Sequence, residues 1–299
     1  MIKIEQLTDP IYAVGESPIW RAAEAALYWV DIPAKRICRL TVETGVVDTW
    51  NTAAMVGCIA FGRDGTLVAG MQDGIYSLKL ASGGIVAATQ LGAPIWPMQN
   101  MRFNDGRCDR QGRFWAGTMH MDMAAAHAVG ALYRFTVAEG LAGPMESGLL
   151  TQNGLAWSPT GELMYLSDSH PKAQLIWVFD YDIATGTPHN RRLFVDMNQY
   201  PGRPDGAAVD VDGCYWTSAN DAGQLLRFTP AGKLDRSIQL PVKKPSMCAF
   251  GGDNLDTLYV TSIRPHNETE LTGQPLAGAV FALRPGIRGV AESEFGALE

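Results

Sequence analysis

Four oxygen-bearing residues, Glu16, Asn104, Asn153 and Asp205, occupy one position of a spaced pattern. Each lies four residues before an aromatic or apolar residue that leads into a turn, namely Trp20, Cys108, Trp157 and Val209. Two further stretches of the same kind end at Phe61 and Phe250 and hold Gly57 and Ser246 at that position. If the six stretches are equivalent strands around one axis, two carboxylates and two amides face a common point. Such a set leaves like charges and unpaired oxygens confined together unless a counter-charge is present. One divalent cation supplies it. Oxygen-only ligation selects calcium, magnesium or manganese and, less often, zinc or ferrous iron. Histidine is missing from the set, which argues against a histidine-rich zinc centre. So incomplete a protein shell leaves positions for water and substrate, as a catalytic metal requires. The competing reading is local: Asn104-Asp105-Gly106, Asn153-Gly154 and Asp205-Gly206 are also good turn sequences. Asn104 has a second open role, as a substrate contact.

The elements that must position these residues form a repeat. Short β-branched and aromatic runs occur at 27–31, 67–70, 114–117, 164–167, 215–218 and 258–261. Each is followed by a second run, at 37–40, 74–78, 131–135, 175–179, 225–228 and 279–283. Before each pair comes an apolar strand and a turn, such as Asp64-Gly65, Gln111-Gly112, Thr160-Gly161, Asp212-Gly213 and Asp253-Asn254. These dipeptides tolerate the positive φ of hairpin turns. The first unit has Arg21-Ala-Ala-Glu24 in that place. A period of 40 to 50 residues, repeated six times, predicts an all-β, six-bladed β-propeller with a central metal site, spanning 1–299 as a single domain. A closed ring needs an outermost strand for the last blade. The N-terminal segment 2–7 is expected to supply it, in preference to 290–295. The segment 263–277 reads as an insertion between the last two strands, either a rim over the channel or a passive loop.

Composition excludes several function classes. Hydrophobic residues make up 46% and charged residues 18%, an ordinary globular balance. A net charge of −7 offers no basic excess for nucleic acid or an anionic membrane. The N-terminus lacks the apolar run of a signal peptide, and no stretch approaches the roughly 20 apolar residues of a membrane span. The expectation is a cytoplasmic monomer. Five cysteines cannot all pair and none form CxxC, so they read as buried, reduced thiols. His127, His170, His189 and His266 lie in loop-like stretches and read as surface residues. No GxSxG elbow and no GxxxxGK phosphate loop is present.

Six motifs carry a family resemblance. They are Gly15-Glu-Ser-Pro-Ile-Trp20, Arg102-Phe-Asn-Asp-Gly106, Gly112-Arg-Phe-Trp-Ala-Gly-Thr-Met119, Asn153-Gly-Leu-Ala-Trp-Ser158, Pro204-Asp-Gly206 and Phe250-Gly-Gly252. Spread over nearly the whole chain, they resemble the gluconolactonase, senescence marker protein (regucalcin) and luciferin-regenerating enzyme family. The resemblance implies a six-bladed propeller with one divalent cation, whose ligands match Glu16, Asn153 and Asp205. It implies Asp205 as general base, and Arg102 and Asn104 as contacts to sugar hydroxyls or lactone. A family glutamate in the loop after Gly-Thr-Met has Asp122 as its nearest match, and Ser17 replaces a common glycine. The reaction so implied is hydrolysis of a sugar-acid lactone, such as a xylono-, glucono-, galactono- or arabinonolactone. The cation would act as Lewis acid and Asp205 would take a proton from water. The rivals are a phosphotriesterase or promiscuous esterase on the same site, and a non-enzymatic, calcium-binding regulatory propeller.

Overall fold

In the computed structural model, which describes residues 2–296, six four-stranded antiparallel sheets are arranged in a ring. Blade 1 is Gly15–Arg21, Ala26–Asp31, Arg36–Thr41 and Val46–Asn51. Blade 2 is Val56–Phe61, Leu67–Met71, Ile75–Ala81 and Ile85–Gly92. Blade 3 is Met101–Cys108, Phe114–His120, Gly130–Thr136 and Gly140–Leu149. Blade 4 is Gln152–Trp157, Leu163–Asp168, Leu175–Asp182 and Thr187–Asp196. Blade 5 is Arg203–Val209, Tyr215–Asn220, Gln224–Phe228 and Leu234–Gln239. Blade 6 is Pro245–Gly251, Thr257–Ser262 and Phe281–Leu283, completed by Ile4–Gln6. Each innermost strand packs on that of the next blade, and the sixth packs on the first. The protein is thus the six-bladed propeller that the repeat predicts.

Burial follows from this stacking. A blade lies between two others, so both faces of its inner strands are covered, and Val56–Phe61, Gln152–Trp157 and Pro245–Gly251 are buried at every residue. Exposure grows outward: third strands such as Ile75–Ala81 and outermost strands such as Val46–Asn51 mix buried and exposed positions. The turn acids brace the far end of the inner strands. Asp210 accepts from Trp216 Nε1 at 2.7 Å and Arg227 Nε at 2.8 Å, and Asp109 accepts from Tyr181 Oη at 2.5 Å. All five cysteines are buried and unpaired.

The ring closes as expected of the N-terminal segment: Ile4, Glu5 and Gln6 pair with Leu283, Ala282 and Phe281. The last residues do something else. They cross the turn ends of the inner strands, with Arg288 O accepting from Val211 N and Gly289 N donating to Leu255 O. Glu292 pairs with Arg107, Glu294 pairs with Arg21, and Phe295 N donates to Phe61 O. The insertion in blade 6 contains a short helix, Glu268–Thr272, with the Asn267 side chain accepting from Thr269 N. No helix among the described residues is long and apolar enough to cross a membrane.

Deleting residues 2–7 strips the outermost strand from blade 6 and exposes the edge of Phe281–Leu283. The thermal midpoint is expected to fall by at least about 5 °C, since each kcal/mol is worth roughly 2–4 °C in a chain of comparable size. Differential scanning calorimetry checks this; an unchanged midpoint would show that the closure contributes nothing.

Candidate active site

The six equivalent positions lie where the inner strands enter the ring, and each inner strand is irregular there. The ladder gains one extra residue between Glu16 and Ile19, Val56 and Cys58, Phe103 and Gly106, Asn153 and Ala156, Pro204 and Ala207, and Pro245 and Cys248. A bulge re-aims a side chain without ending the strand. The turn-like sequences are therefore bulges within strands rather than hairpin turns.

Local packing explains what each blade contributes. At Gly57 a Cβ would lie 2.4 Å from Phe103 O, so blade 2 has no room for a side chain. Ser246 donates to Gly15 O and lies 2.9 Å from Thr261 Oγ1, which ties blade 6 to blade 1. Ser17 has a φ of 50°, the left-handed region that favours glycine. Its Oγ accepts from Ile59 N at 3.0 Å, an anchor on blade 2 that a glycine would lack. Gly154 has a φ of 59°, and a Cβ there would meet Tyr215 Oη at 2.4 Å.

Four positions remain for chemistry. Asn153 and Asp205 are 4% and 7% exposed, and Glu16 is more open. Asn153 Nδ2 donates to Asp205 Oδ1 at 2.5 Å and to Ser169 Oγ at 3.1 Å. Both its hydrogens are thereby engaged, and its Oδ1 is buried without a partner. Asp205 Oδ2 accepts from Asn220 Nδ2 at 2.6 Å. Asn104 differs: its Oδ1 accepts from Arg102 Nη1 at 2.7 Å and its Nδ2 donates to Gln152 O at 2.7 Å. The structure thus joins Asn104 to Arg102.

Electrostatics sets the character of the site. Burial pushes the Asp205 carboxyl up to about 7, with Asp105 adding and Arg203, Asn220 and Asn153 opposing. Burial, then Asp205 and Asp105, raises Glu16 well above the usual carboxylate range. Burial lowers Arg102 to about 10, against the pull of Glu16. Asp105 was not singled out by sequence reasoning, since it lies inside a turn-like triplet. Its Oδ2 accepts from Leu155 N at 2.8 Å, and its Oδ1 is buried without a partner.

This donor set fits a divalent cation. Glu16, Asp105 and Asp205 act on one another as like charges, with Arg102 and Arg203 opposing them from the same end. The unpartnered Asn153 Oδ1 supplies a neutral oxygen beside the two carboxylates. Among the described residues no three His, Cys, Asp or Glu side chains gather as a metal-holding group. A cation at this ring therefore depends on amide oxygen.

The remaining candidates line the ring end. Asp122 follows the second strand of blade 3; it is exposed, and its Oδ1 accepts from Ala124 N and Ala125 N, capping its own loop. His120 is buried and packs edge-on against His127 at 4.9 Å. His170, expected on the surface, is only 5% exposed. Its Nε2 lies 2.9 Å from Met123 O, which links the loops of blades 3 and 4.

Residues 14–264 match the SMP-30/gluconolactonase/LRE-like region. The 6-deoxy-6-sulfogluconolactonase of Pseudomonas putida is 39% identical over 286 residues, covering 94% of both chains. Among solved structures, a luciferin-regenerating enzyme aligns with a TM-score of 0.89 and 25% identity over 99% of both chains. A regucalcin of Agrobacterium tumefaciens, described as a calcium-binding protein, aligns with a TM-score of 0.89 and 24% identity, covering 98% of this chain and 97% of that one.

Gly154→Ala forces a Cβ against Tyr215 Oη and Ser167 Oγ and strains the backbone. It is expected to destabilise the protein by roughly 2 kcal/mol or more. Urea unfolding measures the loss; a difference within experimental error would mean that the bulge relaxes freely.

Proposed function

The chain belongs to the SMP-30/gluconolactonase/LRE-like family, and we propose that it is a sugar lactonase that opens an aldonolactone to its aldonic acid with one divalent cation. In this reading Glu16, Asn153 and Asp205 hold the cation. The observation that carries it is the buried, unpartnered Asn153 Oδ1 beside two raised carboxylates. Calcium, magnesium, manganese, zinc and ferrous iron all accept oxygen ligands. The regucalcin of the same fold is described as calcium-binding, which makes calcium the first ion to test.

When bound, the cation supplies Lewis-acid polarisation of the lactone carbonyl and stabilises charge on its oxygen. The chain's own groups do the rest. Asp205 takes a proton from the attacking water as its oxygen bonds to the carbonyl carbon. The bond from that carbon to the ring oxygen then breaks, and Asp205 returns the proton to the departing oxygen. Two amide donors fix the Asp205 carboxylate, and its remaining lone pairs stay available. Arg102 is held through Nη1 by Phe103 O and Asn104 Oδ1, which orients its planar fork toward lactone oxygens. Asn104 works with Arg102 on the substrate side. Asp122, whose Oδ1 caps its own loop, would offer its other oxygen to distal hydroxyls. The protein acts as a cytoplasmic monomer on a small molecule, and its charge of −7 offers polyanions no purchase.

Xylono-, glucono-, galactono- and arabinonolactone, with one organophosphate ester, test the reading. Chelated protein is expected to be inactive toward lactones and to recover with one or more of the five ions. Absence of lactone hydrolysis with every ion would falsify the proposal. Cation binding without turnover would favour the regulatory propeller, and turnover of the organophosphate alone would favour the phosphotriesterase. Asp205→Asn is expected to lower kcat by roughly 10²–10⁴-fold; an unchanged rate removes Asp205 as base.

Cation uptake should also depend on pH. The cation binds ionised carboxylates, while the cation-free protein holds Asp205 near 7 and Glu16 raised. Protons therefore compete below that value, so affinity should rise with pH and uptake should release protons. Calorimetry in two buffers of different ionisation enthalpy measures this, and an affinity flat between about pH 6 and 8 contradicts it.

A further inference from the structure

Asp205 and Asn153 belong to a closed circuit of hydrogen bonds that runs from blade 5 to blade 4 and back. Asn220, the last residue of the second strand of blade 5, donates Nδ2 to Asp205 Oδ2 at 2.6 Å. Its Oδ1 accepts from Arg203 Nη2 at 3.4 Å. Arg203 Nη1 donates to Ser169 O at 3.1 Å. Ser169 Oγ accepts from Asn153 Nδ2 at 3.1 Å, and that same nitrogen donates to Asp205 Oδ1. Arg203 Nε is in turn anchored on Asp221 at 2.7 Å. Asn220 and Ser169 are both buried.

The polarity of this circuit is fixed at its ends. A guanidinium only donates, and an ionised carboxylate only accepts. Arg203 therefore requires the oxygen of Asn220, which turns the Asn220 nitrogen to Asp205. A flipped Asn220 would set NH₂ against guanidinium and oxygen against carboxylate. Asp205 likewise requires the nitrogen of Asn153, which leaves the Asn153 oxygen unpartnered at the ring. A flipped Asn153 would present an NH₂ group there, and a cation would be repelled.

We propose that Arg203, Asn220 and Ser169 are positioning residues that hold the Asp205 carboxylate and select the oxygen end of Asn153 for the cation. The inference rests on the cation reading above and assigns the site three residues outside its ligand set. Outer partners of metal ligands are commonly worth 10–100-fold in affinity.

The test is calorimetric titration of calcium and manganese into chelated wild type, Asn220→Leu, Arg203→Met and Ser169→Ala, with lactone turnover measured across cation concentration. Asn220→Leu is expected to weaken cation binding about 10–100-fold, and the two outer variants less. Excess cation should restore most of kcat, which a merely structural role would not allow. Equal affinities in folded variants overturn the proposal, as does lost turnover that excess cation fails to restore. Should Asn220→Leu not fold, the outer variants give the same reading. A wild type that binds no cation sinks the cation reading and the circuit together, whereas binding by wild type and variants alike sinks the circuit alone.

Discussion

Like charge gathered on the axis is the constraint on which the site depends. Glu16, Asp105 and Asp205 come from blades 1, 3 and 5, and burial raises all three, with Asp205 and Asp105 adding at Glu16, Asp105 adding at Asp205, and Glu292 adding at Asp105. Buried carboxylates are costly unless charge and hydrogen bonds compensate them. The compensation comes from the same blade and from an adjoining one. Leu155 N serves Asp105, Ser17 N serves Glu16 at 3.3 Å, and two side-chain amides serve Asp205. A single departure from this arrangement leaves an unpaired charge in a confined space. The proposed cation fits as the missing partner in that set.

The backbone solves a second problem at the same place. Inner strands are buried on both faces, so a regular pleat would send their side chains into the packing between blades. The extra residue in every inner strand frees the ring position from that alternation. The bulges place unusual demands on backbone and volume. Ser17 meets one with a left-handed conformation and a hydroxyl bond to Ile59 N. Gly154 meets another because Tyr215 Oη occupies the space of a side chain. The Asn-Gly and Asp-Gly pairs that read as turns thus express the same chemistry of small or φ-tolerant residues, used inside strands.

Periodicity made the blades legible. Strand runs such as 164–167 and 215–218 fall within observed strands, and Glu16, Asn104, Asn153 and Asp205 all lie on innermost strands at or in their bulges. Ser169 and Asn220 stand at the same place in blades 4 and 5, just past the runs 164–167 and 215–218, but the other blades carry different residue types there and Arg203 lies on an inner strand; only the folded ring joins the three to Asp205. Asp105 was hidden beside Asn104 in a stretch that looks like a turn. His170 sits in Ser-Asp-Ser-His-Pro, which reads as solvated loop, yet the loop of blade 3 covers it through Met123 O. Burial by a neighbouring blade is a tertiary effect, and local composition does not encode it.

The two ends of the channel are treated differently. At the turn end the final segment binds across blades, and Glu292 pairs with Arg107 at 3.1 Å. Arg107 also donates to Ala207 O at 2.6 Å, two residues beyond Asp205 on the same inner strand. The segment therefore braces the floor beneath the site and adds one negative charge to it. At the ring end, the loops of blades 3 and 4 meet through His170 and Met123, and Gln274 of the blade 6 insertion accepts from Lys243 N at 2.9 Å, just before the inner strand of that blade. On the proposed function, the ring residues act on the bond that breaks, and the loops, which carry no repeat, select the sugar. Spacing can mark a ring position, whereas loops without a repeat leave the choice among aldonolactones unread.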